Sequence, residues 1–244
     1  EELAPSRRQK AAMTNVDTAT PAEYWESQYA DSPRRWSGRV NPTMADVAKT
    51  LTPGIAFDLG CGEGGDAVWL AEQGWQVVAV DISTTATARG AEGAATKGVG
   101  DKITWISHDL STWTTEERFD LVTASFFHST VELPRAEILR RVAGQVRPGG
   151  HLLIVSHVFE TVDDMPPWAL RHHGTVDPDD PELQARLSVL LTPVREVAEL
   201  ALDPSQWDIL IQEVRAREAT GPDGIETATV KDGVVLMRRR DTGV

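Results

Sequence analysis

The chain has 244 residues, of which 41% are hydrophobic and 25% charged, as in an ordinary globular protein. Its 37 acidic residues exceed its 24 basic ones and give a formal net charge of −13, which disfavours a protein that grips the nucleic-acid backbone. The single cysteine, Cys61, excludes an intramolecular disulfide and a four-cysteine metal site. No apolar run reaches the roughly 18 residues of a membrane span, and we expect a cytoplasmic protein.

The N-terminal part of the chain predicts a tail followed by an aromatic arm. Residues 1–20 are charged at their start and lack the apolar stretch of a secretory signal, so we expect a disordered tail. Residues 21–50 predict an arm, helical from Pro21 to Val40. Its four aromatic side chains are Tyr24, Trp25, Tyr29 and Trp36.

Short apolar runs alternate with helix-like stretches between residues 54 and 155. Strands are predicted at residues 55–59, 75–80, 103–106, 119–124 and 151–155. Helices are predicted at residues 67–71, 83–95 and 135–146, and proline in the Arg-Pro-Gly-Gly turn at 147–150 should end the last of them. Strands this apolar, separated by helices, predict a doubly wound α/β fold whose mostly parallel sheet is covered on both faces.

The remaining residues are expected to add a lid, two helices and two strands to this α/β core. Residues 163–180 are rich in proline and acid and predict a loop or lid around Trp168, and helices are predicted at 181–191 and 193–202. Two further strands are predicted at 207–216 and 233–239. Because no polar linker interrupts the chain, we expect a single domain over residues 21–240 with a lid-like insertion at 160–205.

A glycine-rich loop follows the first predicted strand. Gly60, Gly62 and Gly65 match a nucleotide-binding fingerprint between a strand and a helix, and Asp81 follows about 20 residues later. A carboxylate at that position accepts hydrogen bonds from ribose hydroxyls. The pattern suits an NAD(P)-dependent oxidoreductase on a Rossmann-like sheet or a methyltransferase that uses S-adenosyl-L-methionine.

Asp58 separates these two interpretations. It precedes the first glycine within an apolar strand, where the pyrophosphate of a dinucleotide would add like-charge repulsion. S-adenosyl-L-methionine carries a sulfonium and an ammonium group and no phosphate, and Glu63 and Asp66 add negative charge at the same loop. The residues therefore favour the methyltransferase, with a non-catalytic protein that binds the same cofactor as a third alternative.

Three motifs resemble the class I S-adenosylmethionine-dependent methyltransferases: residues 57–64, Asp81-Ile82-Ser83 and His108-Asp109-Leu110. The aromatic arm and the run at 64–71 are similar to the branch with tellurite-resistance and thiopurine methyltransferases. The resemblance implies a Rossmann-like sheet of seven strands with an antiparallel last strand. It also implies S-adenosyl-L-homocysteine as the product and a small-molecule acceptor, which is a thiol, a chalcogen or a small oxygen or nitrogen nucleophile.

The resemblance further assigns residues to the cofactor. The glycine loop would pass under its methionine part, Asp81 would bind its ribose, and Asp109 would face its adenine amino group. The expected cofactor-binding set is Trp25, Trp36, Asp58, Gly60, Cys61, Gly62, Gly64, Asp81, Ile82, Asp109, Leu110 and Ser125.

The acceptor is expected beyond the ends of the fourth and fifth strands. A base is needed only if the nucleophile arrives protonated; His128 is the first candidate and His157 the second, with simple packing as the alternative for both. The residues expected to line the acceptor pocket are Tyr24, Tyr29, Phe126, Phe127 and Trp168. Two adjacent histidines, His172 and His173, rarely make a metal site without a third ligand. We expect no metal, no nucleic-acid partner, no membrane, and a monomer or dimer.

Overall fold

A seven-stranded β-sheet forms the centre of the molecule, in a computed structural model that describes residues 19–33, 38–172, 177, 179–221 and 223–241. The strands are β1 (Ile55–Leu59), β2 (Gln76–Asp81), β3 (Ile103–Ser107), β4 (Phe119–Ser125), β5 (Val146–His157), β6 (Trp207–Thr220) and β7 (Thr227–Arg239). Their order is β3-β2-β1-β4-β5-β7-β6. The first five are parallel, and β7 is antiparallel to both of its neighbours, β5 and β6. The predicted fold class is confirmed.

Helices connect and cover these strands. They are α1 (Pro21–Ala30), α2 (Pro42–Ala48), α3 (Gly65–Glu72), α4 (Thr84–Thr96), α5 (Arg135–Ala143), α6 (Pro167–His172), α7 (Pro181–Ser188) and α8 (Pro193–Leu200). None of the helices within the described ranges is both long and apolar enough to cross a membrane.

Two apolar cores cover the two faces of the sheet, and β1 contributes to both. Ala56 packs in one core with Ala67 of α3, whereas Phe57 and Leu59 pack in the other with Ile138 of α5. A strand buried on both faces needs apolar residues at almost every position. This requirement explains why the sequence reveals β1, β2 and β4 so directly.

The parallel register gathers the carboxyl ends of these strands at one edge of the sheet. Leu59 pairs with Val80, and Ser125 pairs with Val155. The loop after β1, the acid that ends β2 and the loop after β4 therefore lie at that edge, where open α/β sheets bind their ligands.

Several predicted boundaries in the first two thirds of the chain are wrong. The arm helix α1 ends at Ala30 instead of extending to residue 40. Helix α5 ends at Ala143, before the predicted stop, because Val146 already pairs with Phe119 as the first residue of β5. The predicted turn at residues 147–150 is an irregular part of β5, where the register shifts and Gly149 has a φ of +78°.

The C-terminal part contains more regular structure than the sequence predicts. Strands β6 and β7 are longer than expected because they pair with each other along their whole length, from Trp207–Arg239 to Thr220–Thr227. The predicted loop at 163–180 contains α6. Met165, Leu183 and Leu187 form a small apolar core of their own there, so this segment buries enough apolar surface to form helices.

Packing against β3 requires Gly90 of α4 but not Gly93 of the same helix. A Cβ at Gly90 would lie 2.4 Å from the Trp105 ring, whereas a Cβ at Gly93 would meet no atom within 4 Å. We expect Gly90→Ala to lower the free energy of unfolding by ~1–3 kcal/mol through overpacking. The matched Gly93→Ala should raise it by ~0.5–1 kcal/mol through higher helix propensity. Denaturant unfolding of both variants measures this difference, and a shift of the same sign in both would contradict the packing assigned to Trp105.

Candidate active site

The loop between β1 and α3 folds tightly at the ligand-binding edge of the sheet. Gly60, Gly62 and Gly64 have φ angles of +62°, +53° and +82°, in the left-handed region that residues with a Cβ rarely adopt. A Cβ at Gly60 would also lie 2.8 Å from the Phe127 ring. The amide of Gly64 closes the turn by donating to the Cys61 carbonyl at 2.9 Å. The loop thus presents bare backbone to a ligand.

Asp58 lies near the end of β1 with 2% of its surface exposed. The Thr123 hydroxyl donates to its Oδ1 at 3.1 Å, whereas Oδ2 is buried without a hydrogen bond from any described residue. Burial raises the pKa of the Asp58 carboxyl well above its usual value, and the charges of Asp66 and Asp81 raise it further. A buried acceptor without a donor costs free energy, so Oδ2 marks a place for a cationic or donating group of a ligand.

Asp81 connects the glycine loop to the start of α4. Its Oδ2 accepts the Gly62 amide and its Oδ1 the Ser83 amide, both at 2.9 Å. Burial raises the pKa of the Asp81 carboxyl despite these two amides. Each carboxylate oxygen can accept two hydrogen bonds, so both oxygens retain capacity for ribose hydroxyls.

A third carboxylate, that of Asp66 in the first turn of α3, lies close to Asp58. It accepts the Asn41 amide at 2.8 Å. Burial raises the pKa of the Asp66 carboxyl, although this amide and the Ser125 hydroxyl oppose the shift. The sequence analysis recognised the charge of Asp66 but missed Asn41, because no local pattern connects these residues.

The residues expected on the adenine side follow β2 and β3. Asp109 is half-buried, and its Oδ1 accepts the backbone amide two residues later at 2.8 Å. Leu110 is buried in the core, and Ile82 is half-buried beside Asp81. Since Asp81 pairs with Ser107 at the end of β3, the structure brings these residues to the same edge as the glycine loop.

Helix α1 is hydrogen-bonded to both sides of this edge. The Trp25 indole donates to Ser129 Oγ, in the loop after β4, at 3.1 Å. On the other side, Glu26 accepts the Ser83 hydroxyl at 2.6 Å and also bonds Thr85. Trp25, which the sequence places at the cofactor, therefore lies at this edge. Glu26 is not predicted from the sequence, where it looks like an ordinary solvated acid.

The turn after β4 holds two aromatic side chains in different environments. Phe126 has a φ of +52°, which is uncommon for a residue with a side chain, and its amide donates to the Val155 carbonyl at 2.7 Å. Phe127 turns inward and packs against Gly60 with 9% of its surface exposed. Phe126 is thus partly buried against the core and stacks on His157, while Phe127 packs against the glycine loop.

His128 is the first predicted base, and its surroundings keep it neutral. Burial, together with the nearby charge of Arg135, lowers the pKa of the His128 imidazole to about 3. Its Nε2 is buried without a hydrogen bond in the described part of the chain. Arg135 also donates to the Phe127 carbonyl at 2.8 Å and forms two hydrogen bonds to Glu196 at 2.7 and 2.9 Å, which fixes this loop against α8.

His157, the second predicted base, is stacked between two phenylalanine rings. Its ring centroid lies 4.1 Å from that of Phe126 and 5.1 Å from that of Phe159. Its Nδ1 lies 3.9 Å from Asp232 Oδ1. Burial lowers the pKa of the His157 imidazole to about 4, although the Asp232 carboxylate opposes this shift.

The other aromatic residues predicted for the acceptor pocket are dispersed. The Tyr24 hydroxyl shares a hydrogen bond with Thr130 Oγ1 at 3.0 Å, and Tyr29 is buried with 4% of its surface exposed. Trp168 packs against Gly221 in the turn between β6 and β7. Trp36 lies outside the described residues.

Cys61 is buried within the glycine loop. Burial, with the charges of Asp81 and Asp58, raises the pKa of the Cys61 thiol well above its ordinary value, so this thiol stays protonated and is a poor nucleophile. The residues with an assigned structure contain no cluster of three metal-ligating side chains. His173 lies outside those residues.

These observations fit S-adenosyl-L-methionine better than a dinucleotide. Asp58, Asp66 and Asp81 are buried close to one another, and their carboxyl pKa values are all raised. A pyrophosphate would increase the repulsion among them, whereas a sulfonium and an ammonium group would relieve it.

Comparisons with known proteins agree with this chemistry. Residues 56–150 match the family described as "Methyltransferase domain". The chain is 30% identical over 148 residues to "Probable thiol methyltransferase 2" of Arabidopsis thaliana, which covers 59% of this chain and 66% of that protein. It is also 26% identical over 178 residues to "Thiocyanate methyltransferase 1" of Brassica oleracea. This alignment covers 66% of this chain and 79% of that protein.

A solved structure extends the similarity over almost the whole chain. It is described as "Conversion of a Disulfide Bond into a Thioacetal Group during Echinomycin Biosynthesis", with a TM-score of 0.69 and 25% identity over 92% of this chain and 93% of that one. This likeness shows that the fold is shared over almost the whole chain. The chain belongs to the class I S-adenosylmethionine-dependent methyltransferases.

Proposed function

We propose that the protein transfers a methyl group to a small molecule whose nucleophilic atom is the sulfur of a thiol. The observation that carries this proposal is the surface made by Phe126, His157 and Phe159 next to the acidic edge. Aromatic rings make favourable contacts with polarizable sulfur. Sulfur is also the atom named in the descriptions of the similar proteins, which mention a thiol, thiocyanate and a disulfide.

Each predicted cofactor residue has a proposed role. Asp58 and Asp66 provide negative charge for the amino acid and sulfonium part, and the backbone of the glycine loop, including Cys61, lies beneath it. Asp81 accepts the ribose hydroxyls, while Asp109, Ile82 and Leu110 surround the adenine. We place the hydroxyl of Ser125 between Asp66 and the acceptor; it opposes the rise in the pKa of the Asp66 carboxyl.

The chain's own contribution to the reaction is alignment and the exclusion of water. S-adenosyl-L-methionine supplies a methyl group that is already activated by a sulfonium. Helix α1 covers the site and is held by the Trp25–Ser129 and Glu26–Ser83 hydrogen bonds. Excluding water and fixing the nucleophile in line with the methyl group both lower the barrier to transfer.

The partners of the protein follow from the same surface. A pocket lined by aromatic rings favours a small, partly apolar thiol, and the net charge of −13 disfavours a nucleic-acid acceptor. Tyr24 contributes to this pocket from α1, and the segment 160–205 forms its lid. We propose a cytoplasmic protein that acts as a monomer or dimer.

Incubation with S-adenosyl-L-methionine and a panel of acceptors tests the proposal. We expect S-adenosyl-L-homocysteine and a methyl thioether with one or more small aromatic or aliphatic thiols. Phenols, amines, oxyanions of selenium and tellurium, and a transfer RNA transcript are the comparison acceptors. Turnover of RNA alone would contradict the proposed acceptor, and cofactor binding with no product from any acceptor would favour a non-catalytic protein.

A further inference from the structure

Two buried polar atoms without hydrogen bonds face each other beside the acceptor surface. Asp232 is fully buried, and its Oδ1 and the Nδ1 of His157 both lack a hydrogen-bond partner within the structurally described residues. The two atoms are 3.9 Å apart. A carboxylate oxygen and a ring N–H are complementary, so a small movement would pair them.

The surrounding elements fix which oxygen of Asp232 is available. The antiparallel register of β5 and β7 places His157 directly opposite Asp232. The Thr43 hydroxyl of α2 donates to Asp232 Oδ2 at 2.7 Å, and Arg217 Nε of β6 donates to the same oxygen at 2.5 Å. With Oδ2 occupied twice, Oδ1 is the oxygen left to accept a proton from His157.

The ring of His157 is open along one edge. Phe126 and Phe159 cover its two faces, and its Nδ1 is buried towards Asp232, yet 36% of the side chain remains exposed. The accessible part is therefore the edge away from Nδ1. An Nδ1–H directed at Oδ1 would leave Nε2 unprotonated, as in other carboxylate–imidazole pairs.

We propose that His157 is the general base of the reaction, that Asp232 is the residue that positions it, and that the acceptor consequently binds as a neutral thiol rather than as a preformed anion such as thiocyanate. This inference rests on the proposed thiol methyltransferase function. The sulfur lone pair attacks the methyl carbon, the bond from that carbon to the sulfonium breaks, and its electron pair returns to the cofactor sulfur. The S–H proton passes to His157 Nε2, so the products are a methyl thioether, S-adenosyl-L-homocysteine and an imidazolium.

The charges that face His157 agree with this role. Asp232 on β7 stabilises the imidazolium that forms, whereas burial and the charge of Arg217 on β6 disfavour it in the resting protein. The base is therefore unprotonated at neutral pH. His128 lacks an equivalent carboxylate and lies near Arg135 instead, so of the two predicted histidines it is the poorer proton acceptor.

The dependence of the thiol reaction on pH tests the base directly. At saturating S-adenosyl-L-methionine, wild-type kcat/KM should be nearly constant between about pH 6 and the thiol pKa near 8.5. His157→Gln should lower kcat/KM by about 10²–10³-fold at pH 7. The kcat/KM of this variant should then rise tenfold per pH unit as free thiolate accumulates. The matched control is His151→Gln, because His151 lies on the same strand at the opposite edge of the sheet. This variant should keep the nearly constant kcat/KM of the wild type over the same pH range.

Nitrogen-15 NMR of the cofactor-free protein provides a readout that does not depend on turnover. The wild-type His157 signals should report an Nδ1–H tautomer, and Asp232→Asn should shift the tautomer population and lower kcat/KM at pH 7 by ~10-fold while leaving KM for the cofactor unchanged. A wild-type profile that already rises tenfold per pH unit, or a loss in His157→Gln that is equal at every pH, would overturn the base. Absence of any thiol product with the wild-type protein would instead refute the proposed function.

Discussion

Replacement of Asp81 by alanine is expected to weaken S-adenosyl-L-methionine binding by ~30-fold or more while the sheet still forms. The carboxylate holds the Gly62 and Ser83 amides at 2.9 Å each, so its removal releases the glycine loop and deletes the proposed ribose acceptor at once. A hydrogen bond to a charged group contributes about 1.5–3 kcal/mol, and about 2 kcal/mol corresponds to ~30-fold in Kd. Titration calorimetry measures the change.

Asp120→Ala is the matched control for this experiment. Asp120 also accepts a backbone amide, that of Ile55 at 2.8 Å, and it pairs with Arg147 at 2.7 Å. It lies near the start of β4, at the edge of the sheet opposite the glycine loop. We expect this variant to lose stability with an unchanged cofactor Kd. An unchanged Kd in Asp81→Ala, or an equal loss in both variants, would remove the assignment of Asp81 to the cofactor.

Asp58→Asn is expected to stabilise the cofactor-free protein and to weaken cofactor binding, two effects of opposite sign. The substitution keeps the shape of the side chain and an oxygen for the Thr123 hydroxyl, but it removes a buried charge next to Asp66 and Asp81. That charge is unfavourable without a cation and favourable with one. We expect a higher unfolding temperature in the free protein and a cofactor affinity lowered by ~10-fold or more, about 1.4 kcal/mol.

The stabilisation by Asp58→Asn should depend on pH. The pKa of Asp58 is raised in the folded chain, so the folded state binds the proton more tightly, and the free energy of unfolding falls as pH rises from the unfolded pKa of ~4 through the folded value. The free energy of unfolding of Asp58→Asn does not fall in this way, because asparagine does not titrate. Its advantage should be small at pH 4 and grow towards pH 8, with ~2–4 °C in Tm for each kcal/mol. Thermal unfolding in a pH series measures the difference in Tm between the variant and the wild type. A difference that is constant or that shrinks with rising pH would contradict the burial of an unfavourable carboxylate at Asp58.

The sequence predicted the sheet, the glycine loop and the acids at the strand ends because all of them depend on local patterns. Strands buried on two faces, such as β1, must be apolar throughout, and a loop that needs left-handed backbone at Gly60, Gly62 and Gly64 reveals itself by its glycines. The acids of β1 and β2 follow from the same logic, since Asp58 interrupts one of these two apolar runs and Asp81 ends the other.

The contacts that the sequence did not predict join distant parts of the chain. Asn41 reaches Asp66, Glu26 reaches Ser83, and His157 faces Asp232 only because β7 inserts between β5 and β6 with one particular register. A single sequence carries no signal for such a register. The base could therefore be named as a candidate, but the carboxylate that positions it appears only in the folded structure.

Calorimetric titration of the wild-type protein with S-adenosyl-L-methionine and with NAD⁺ tests the central claim, that a buried acidic edge holds a cationic cofactor without phosphate. The raised pKa values of Asp58, Asp66 and Asp81 predict saturable binding of S-adenosyl-L-methionine with release of protons at a pH between the ordinary carboxyl value and the raised values of the free protein, seen as different heats in two buffers of different ionisation enthalpy. NAD⁺ should give no binding heat. Tight binding of NAD⁺, or binding of S-adenosyl-L-methionine without proton release, would contradict the account.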